Sequence, residues 1–263
     1  MPVLNYNELK PSAEAELIFR RWLANLNEEF TRHQNIDRRS EIVRDELHQI
    51  YLGRPHGGRM NATLASELAT NTLTESFDPR NVTLEPEYYG DVDRSLYCPR
   101  KPLIFFWQMF DRSPLGLNHW LGFRFRCMLG RHIFKHLGKH VKIFHNVEFT
   151  FGYNLTIEDS CTIHKNVLLD DRGEIILHEG TSVSDYANIY SHTHNINNQS
   201  DVTNKKTELG PRARVTYHAT VLAGSKIGED AMLGAMGLAT REVPANTVAV
   251  GIPAKVKKQK DKQ

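Results

Sequence analysis

The sequence predicts a mainly β protein, a parallel β-helix built from hexapeptide repeats and preceded by an N-terminal helical region. Three observations carry that prediction. Apolar-x-apolar triplets recur at six-residue spacing in Phe149-Thr-Phe151, Leu155-Thr-Ile157, Cys161-Thr-Ile163 and Val167-Leu-Leu169. Polar corners separate them: Gly152-Tyr-Asn154, Glu158-Asp-Ser160 and His164-Lys-Asn166. After a slip of two residues the phase resumes in Ile175-Ile-Leu177, Thr181-Ser-Val183 and Ala187-Asn-Ile189. Beyond a polar interruption it runs from Ala213-Arg-Val215 to Gly237-Leu-Ala239.

Strand geometry explains the pattern. Alternate residues of a strand face opposite ways, so the outer members of each triplet point inward and the middle member outward. Each repeat is one short strand and one corner, which cannot bury its apolar side alone; stacked coils share a core and satisfy each other's backbone groups. Middle residues such as Thr150, Thr156, Ser182, Asn188, Arg214 and Lys226 are therefore expected on the surface. Antiparallel hairpins would not hold a six-residue phase over so many units.

Along the chain, residues 1–53 predict a helical hairpin. Ser12 precedes Glu14 and Glu16 as an N-cap before a charged first turn, and Leu17, Ile18, Trp22, Leu23, Leu26 and Phe30 form one stripe. A second helix, about Arg38 to Leu52, ends at Gly53-Arg-Pro55. Residues 54–140 read as an irregular and helical connecting region, with a short helix near Ala62 to Ala69. Asn61-Ala-Thr63 and Asn81-Val-Thr83 are accidental matches to a glycosylation acceptor. The aromatic run Leu103 to Phe110, followed by Trp120, Phe123, Phe125 and Met128, predicts a helix that caps the β-helix and leaves a solvated basic face, including Arg124, Arg126 and Arg131. A peripheral membrane contact through 103–142 is the alternative. The β-helix occupies 141–256, and 257–263 is a basic, frayed tail.

Composition narrows the function classes. A net charge of +2 over 263 residues gives no reason to expect nucleic acid. The start of the chain lacks a basic-then-apolar leader, and no apolar run is long enough for a bilayer, so a cytoplasmic location is expected. Cys98, Cys127 and Cys161 have neither an even count nor a metal-type spacing and read as free thiols.

Chemistry concentrates where the array breaks. His192 and His194 stand there, followed by the polar insertion 196–206. Holding the phase from Ala187-Asn-Ile189 puts His192 at a corner and His194 at the outward middle of the next triplet, beside an insertion on a rigid scaffold. A histidine so placed suits a general base, because its ordinary pKa lies near neutrality.

Tyr190-Ser-His-Thr-His-Asn195, Gly234-Ala-Met-Gly-Leu-Ala-Thr-Arg241 and the closing segment Val243-Pro-Ala-Asn-Thr-Val-Ala-Val-Gly-Ile-Pro-Ala-Lys-Val256 resemble the hexapeptide-repeat acyltransferases, in particular the maltose, galactoside and nodulation-type O-acetyltransferases. The resemblance covers roughly 149–258. It implies a left-handed β-helix, an exception to the right-handed crossover rule, assembled as a homotrimer with acetyl-CoA between neighbouring subunits. It implies His194 as the general base for direct attack of an acceptor hydroxyl on the thioester, with no metal required. On the CoA side it points to Tyr217, Ala235, Thr240, Arg241, Lys255 and Lys258, the cations suiting phosphate. On the acceptor side it points to His164 and Asp171, and His192 at its corner is a further substrate-binding candidate. The chain departs from that pattern with His164 for a common asparagine, Tyr217 for a serine, Arg214 for a tryptophan and Asn195 for a proline. A reshaped acceptor pocket, for a sugar or related small molecule, follows.

Two other readings stay open on the same scaffold. One is a non-catalytic assembly subunit. The other is a β-helix carbonic anhydrase, for which His164, His192, His194 and His218 are candidate zinc ligands; the His192-x-His194 spacing and the closing segment argue against it.

Overall fold

The computed structural model describes residues 10–57 and 68–260. Its helical part comprises α1 (Ala13–Arg32), α2 (Ile36–Leu52), α3 (Leu68–Glu75), α4 (Arg94–Tyr97), α5 (Lys101–Arg112) and α6 (His119–Ile133). Ser12 caps α1 by accepting from the Ala15 N–H, and α2 ends at Gly53 in the left-handed conformation (φ 65°). Each of the two first helices also packs on the helices that follow: α1 lies on α6 and α2 on α5. Trp22 Nε1 bridges the first two helices by donating to Glu46 Oε2 at 2.8 Å. Trp22 stacks on Phe125 of α6 and Phe30 meets Phe106 of α5 edge-on, whereas Leu17 and Ile18 of the predicted stripe are exposed. The helix expected near Ala62 to Ala69 falls mostly outside the described residues, as does Asn61-Ala-Thr63.

Helix α5 is buried at Leu103, Ile104, Phe105, Phe106, Trp107 and Phe110, so its aromatic run belongs to the core. Phe110 stacks on Phe125 of α6 with ring centroids 3.8 Å apart. Trp107 Nε1 donates to the Val147 carbonyl at 3.0 Å, and its ring meets Phe149 edge-on at 5.2 Å. These contacts seal the first coil of the β-helix, which would otherwise end in an open apolar core. Arg126, expected on a solvated face, is instead fully buried. Its guanidinium binds Asp111 Oδ1 through Nε at 2.8 Å and Nη2 at 2.5 Å, and donates to the carbonyls of Gly116 (2.8 Å) and Ile143 (3.2 Å).

The β-helix winds through three parallel sheets. The first coil is β1 (His136–Leu137), β2 (Lys142–Ile143) and β3 (Glu148–Phe149); the second is β4 (Leu155–Ile157), β5 (Thr162–Ile163) and β6 (Leu168–Asp170). The third is β7 (Ile175–Leu177), β8 (Ser182–Val183) and β9 (Asn188–Tyr190), after which β10 (His192–His194) and β11 (Val202–Asn204) leave the coil as an antiparallel hairpin. The fourth coil is β12 (Thr207–Leu209), β13 (Arg214–Val215) and β14 (Thr220–Val221), and the fifth is β15 (Lys226–Ile227), β16 (Met232–Leu233) and β17 (Leu238–Ala239). Finally β18 (Thr247–Val250) pairs with β16, and β19 (Lys255–Gln259) folds back on β18. Sheet A stacks β1, β4, β7, β12 and β15; sheet B runs from β2 to β19; sheet C stacks β3, β6, β9, β14 and β17. The winding is left-handed, as the resemblance implies.

Inward triplet positions are buried and the middle residues partly or fully exposed. Three details differ from expectation. The array begins at His136 rather than near 141. Its first-coil triplet is Val147-Glu-Phe149, which puts Thr150 in a corner; Phe151 is also buried, so apolar alternation runs through the corner and masks the register. The basic tail is strand as far as Gln259, and Lys260 Nζ donates to the Asp230 carbonyl at 2.6 Å.

Candidate active site

The corner that joins sheet C to sheet A is expanded once along the solenoid. It is 150–154 after the first coil, 171–174 after the second and 222–225 after the fourth, but 191–206 after the third, where it becomes the β10–β11 hairpin. Close packing of these stacked corners explains Gly173, where a Cβ would come within 2.4 Å of the Lys205 carbonyl and 2.6 Å of the Ser191 carbonyl.

The adjacent aspartates at the second corner face opposite ways. Asp171 is fully buried; Oδ1 accepts from the N–H groups of Thr150 (2.9 Å) and Phe151 (2.8 Å), and Oδ2 from that of Asn154 (3.3 Å). Burial pushes its carboxyl up to about 7, against the pull of those donors. The acceptor-side expectation for Asp171 is therefore corrected: its oxygens hold the preceding corner and are sealed from a ligand. Asp171→Ala strands three backbone N–H groups, that of Phe151 buried and those of Thr150 and Asn154 partly so, and should cost about 3 kcal/mol, read as a lowered midpoint in chemical denaturation.

Asp170 takes the outward position. Its Oδ1 accepts from Thr150 Oγ1 at 3.0 Å, and its Oδ2 lies 2.6 Å from His192 Nδ1, close but not in a well-directed hydrogen bond. Burial holds the His192 imidazole below its ordinary pKa; the Asp170 carboxylate opposes that shift, while Arg172 and His194 add to it. His194 is also on β10, on the hairpin rather than on the next coil triplet, which is Thr207-Glu-Leu209. It is exposed, its ring 5.1 Å from that of His192. Its Nδ1 lies 2.6 Å from the Gln199 carbonyl. A carbonyl only accepts, so Nδ1 carries a proton, and in the neutral ring the lone pair is on Nε2.

His192 and Asp170 line a cleft of about 490 Å³ whose floor is sheet C, at Glu148 and Leu168. Its opposite wall is the 83–89 segment, with Leu84, Pro86 and Tyr89, and its end is closed by Gln108 and Arg112 of α5. Asp91 ties that wall to the hairpin. Its carboxylate binds Arg172 at 2.8 and 3.2 Å and accepts from Asn204 Nδ2 at 3.0 Å, and Asn204 is the register partner of His192. Glu148, Gln108, Arg112, Asp170 and Asp91 were not among the candidates. Glu148 would have been found once the first-coil register was right; the 79–91 wall carries no signal beyond its turn residues.

The structure separates the remaining candidates. His164 lies at the corner between sheets B and C, stacked on Phe144 with centroids 4.9 Å apart, across the width of sheet C from His192. Within one chain the two are not brought together. Tyr217 and Ala235 share that B–C corner one coil apart, linked by the Met236 N–H to Tyr217 carbonyl bond at 3.0 Å. Thr240 and Arg241 follow β17, and Lys255 and Lys258 stand on β19. All six are exposed, and Arg241, Lys255 and Lys258 form no ion pair among the described residues. Cys98, Cys127 and Cys161 are free thiols. No helix among the described residues is long and apolar enough to cross a membrane.

No family model matches the sequence. The chain is 24% identical over 144 residues to a galactoside O-acetyltransferase of Escherichia coli K12; the match covers 55% of this chain and 62% of that protein, under two thirds of its length. Its fold matches a maltose O-acetyltransferase of Clostridium difficile 630, with a TM-score of 0.57 at 20% identity over 66% of this chain and 92% of the other. It also matches a hexapeptide-repeat acetyltransferase of Vibrio cholerae complexed with acetyl-CoA, with a TM-score of 0.55 at 18% identity over 70% and 99%. The chain thus has the left-handed β-helix fold of the hexapeptide-repeat acetyltransferases and is similar in sequence to one of them.

Proposed function

We propose that the protein transfers an acetyl group from acetyl-CoA to a hydroxyl of a sugar or related small acceptor, with His194 as general base. The observation that carries this reading is the hairpin at the third corner. It sets His194, with its Nδ1 directed at the Gln199 carbonyl, beside a cleft bordered by His192 and Asp170. Nε2 takes the acceptor proton as the oxygen attacks the thioester carbonyl, and the proton passes to the departing CoA sulfur, leaving an acetyl ester and a thiol. The similarity to acetyltransferases, one of them solved with acetyl-CoA, supports the donor.

In this reading CoA lies along the face bearing Tyr217, Ala235, Thr240, Arg241, Lys255 and Lys258, between neighbours of a homotrimer. Arg241→Ala combined with Lys258→Ala should raise the KM for acetyl-CoA about tenfold, the loss of one charge-assisted phosphate contact or more. Light scattering should give the mass of three 30.2 kDa chains; a monomer would remove the shared groove.

The deciding experiment measures thiol release from acetyl-CoA against sugars, nucleotide sugars, amino acids and aminoglycosides, with wild type and His194→Ala in parallel. Acceptor-dependent release that collapses in the variant is expected. Release from no acceptor, with no CoA binding by calorimetry, would sink the proposal. Release that survives would move the base to His192, which the nearby Asp170 carboxylate and the cleft favour as a second reading.

A further inference from the structure

We infer that the cleft between sheet C and the 83–89 segment is a saccharide-binding site formed within one chain, and that Gln108, Arg112 and Glu148 determine its specificity. That such a sugar is then acetylated rests on the function proposed above; that it binds does not.

Three observations lead there. First, the cleft of about 490 Å³ falls in the range of small-molecule sites, roughly 300–1,000 Å³. Second, its polar side chains divide into a used set and an unused one. Glu85 is bonded to the Tyr89 hydroxyl, and Asp170 holds Thr150 and faces His192. By contrast, the side chains of Gln108, Arg112 and Glu148 have no hydrogen bond or ion pair among the described residues. A free amide, a free guanidinium and a free carboxylate converging on one volume supply donors and acceptors on several sides, which is what a ring bearing several hydroxyls requires. Third, Glu148 and Arg112 are exposed at the cleft and stay solvated, so neither has to be matched by a charge on the ligand. Leu84, Pro86 and Tyr190 add apolar surface for the C–H face of the ring.

The wall is anchored where it matters. Asp91 joins the end of this segment to Arg172 and to Asn204, opposite His192 in the hairpin, so a ligand against the wall sits at a defined place relative to the histidines. The long connecting region before the β-helix thereby acquires a role as half of a binding site.

The test titrates galactose, glucose, N-acetylglucosamine and maltose into the full chain without CoA, followed by ligand-observed NMR and calorimetry, for wild type and for Glu148→Gln, Arg112→Gln and Gln108→Ala. All three side chains are at the cleft surface, and unchanged thermal midpoints would confirm intact folding. Binding of at least one sugar, weakened about tenfold or more by Glu148→Gln and Arg112→Gln with CoA affinity unchanged, is expected. Failure of all four sugars to bind, or equal binding in wild type and variants, overturns the inference. The two proposals fail separately. Acceptor-dependent thiol release whose acceptor KM ignores the cleft substitutions would leave acetyl transfer standing without this site. Sugar binding that responds to them with no thiol release would leave the site standing without acetyl transfer.

Discussion

His194→Ala should lower acceptor-dependent turnover by about 10²–10⁴-fold, the usual contribution of a positioned general base, while the KM for acetyl-CoA stays close to wild type. The reason is geometric. The Gln199 carbonyl holds the proton of the neutral ring on Nδ1, so the lone pair that can take the acceptor proton is on Nε2. His192→Ala, by contrast, removes part of the cleft wall next to Asp170 and should raise the acceptor KM more than it lowers kcat. The pH profile provides an independent check. Burial holds the His192 pKa below the ordinary histidine value, about 6.5, so its neutral form persists to lower pH. If His192 were the base, the acid limb of kcat/KM would fall below that value, and His194→Ala would leave the limb in place.

Arg126→Ala or Asp111→Ala should each destabilise the protein by about 3–5 kcal/mol, because each leaves its partner as an uncompensated buried charge. For a chain of this size that corresponds to a fall of roughly 10 °C in thermal midpoint. The pair does more than balance charge. Asp111 Oδ2 accepts from the Asn146 N–H at 2.8 Å, and Arg126 reaches the Ile143 carbonyl, so α5, α6 and the first coil meet at one ion pair. Burial raises the Asp111 carboxyl against the opposing pull of Arg126. The Arg126→Met, Asp111→Leu double substitution should cost clearly less than the sum of the single ones, since it removes both charges together. Additive losses in a denaturation cycle would mean that the two groups act independently and would refute this account.

Much of the fold is legible in the sequence because it rests on local rules. Triplets such as Leu155-Thr-Ile157 and Ile175-Ile-Leu177 declare strands and their inward faces through a two-residue alternation, and the six-residue repeat declares stacking. Ser12 and Gly53 mark helix ends for equally local reasons. The candidate site is legible only in part. His192 and His194 are visible because they interrupt the period, but their placement on a separate antiparallel hairpin depends on pairing with Val202–Asn204, across an insertion that carries no hydrophobic phase.

By itself, then, the sequence determined a β-helix with a helical leader, the coil phase over most of its length, and the corner at which the chemistry gathers. The alternation of β6, Leu169 inward and Asp170 outward, already points Asp170 at the cleft and Asp171 inward; the tertiary structure alone decided what Asp171 meets there, the three backbone N–H groups of the preceding corner. It also decided that α1 and α2 turn to α6 and α5, and that Arg126 is buried rather than solvated. Finally, it placed the 83–91 segment against the hairpin through Asp91, Arg172 and Asn204. Those contacts join residues far apart in the chain, and their energy exists only once the coils have stacked and brought the partners together.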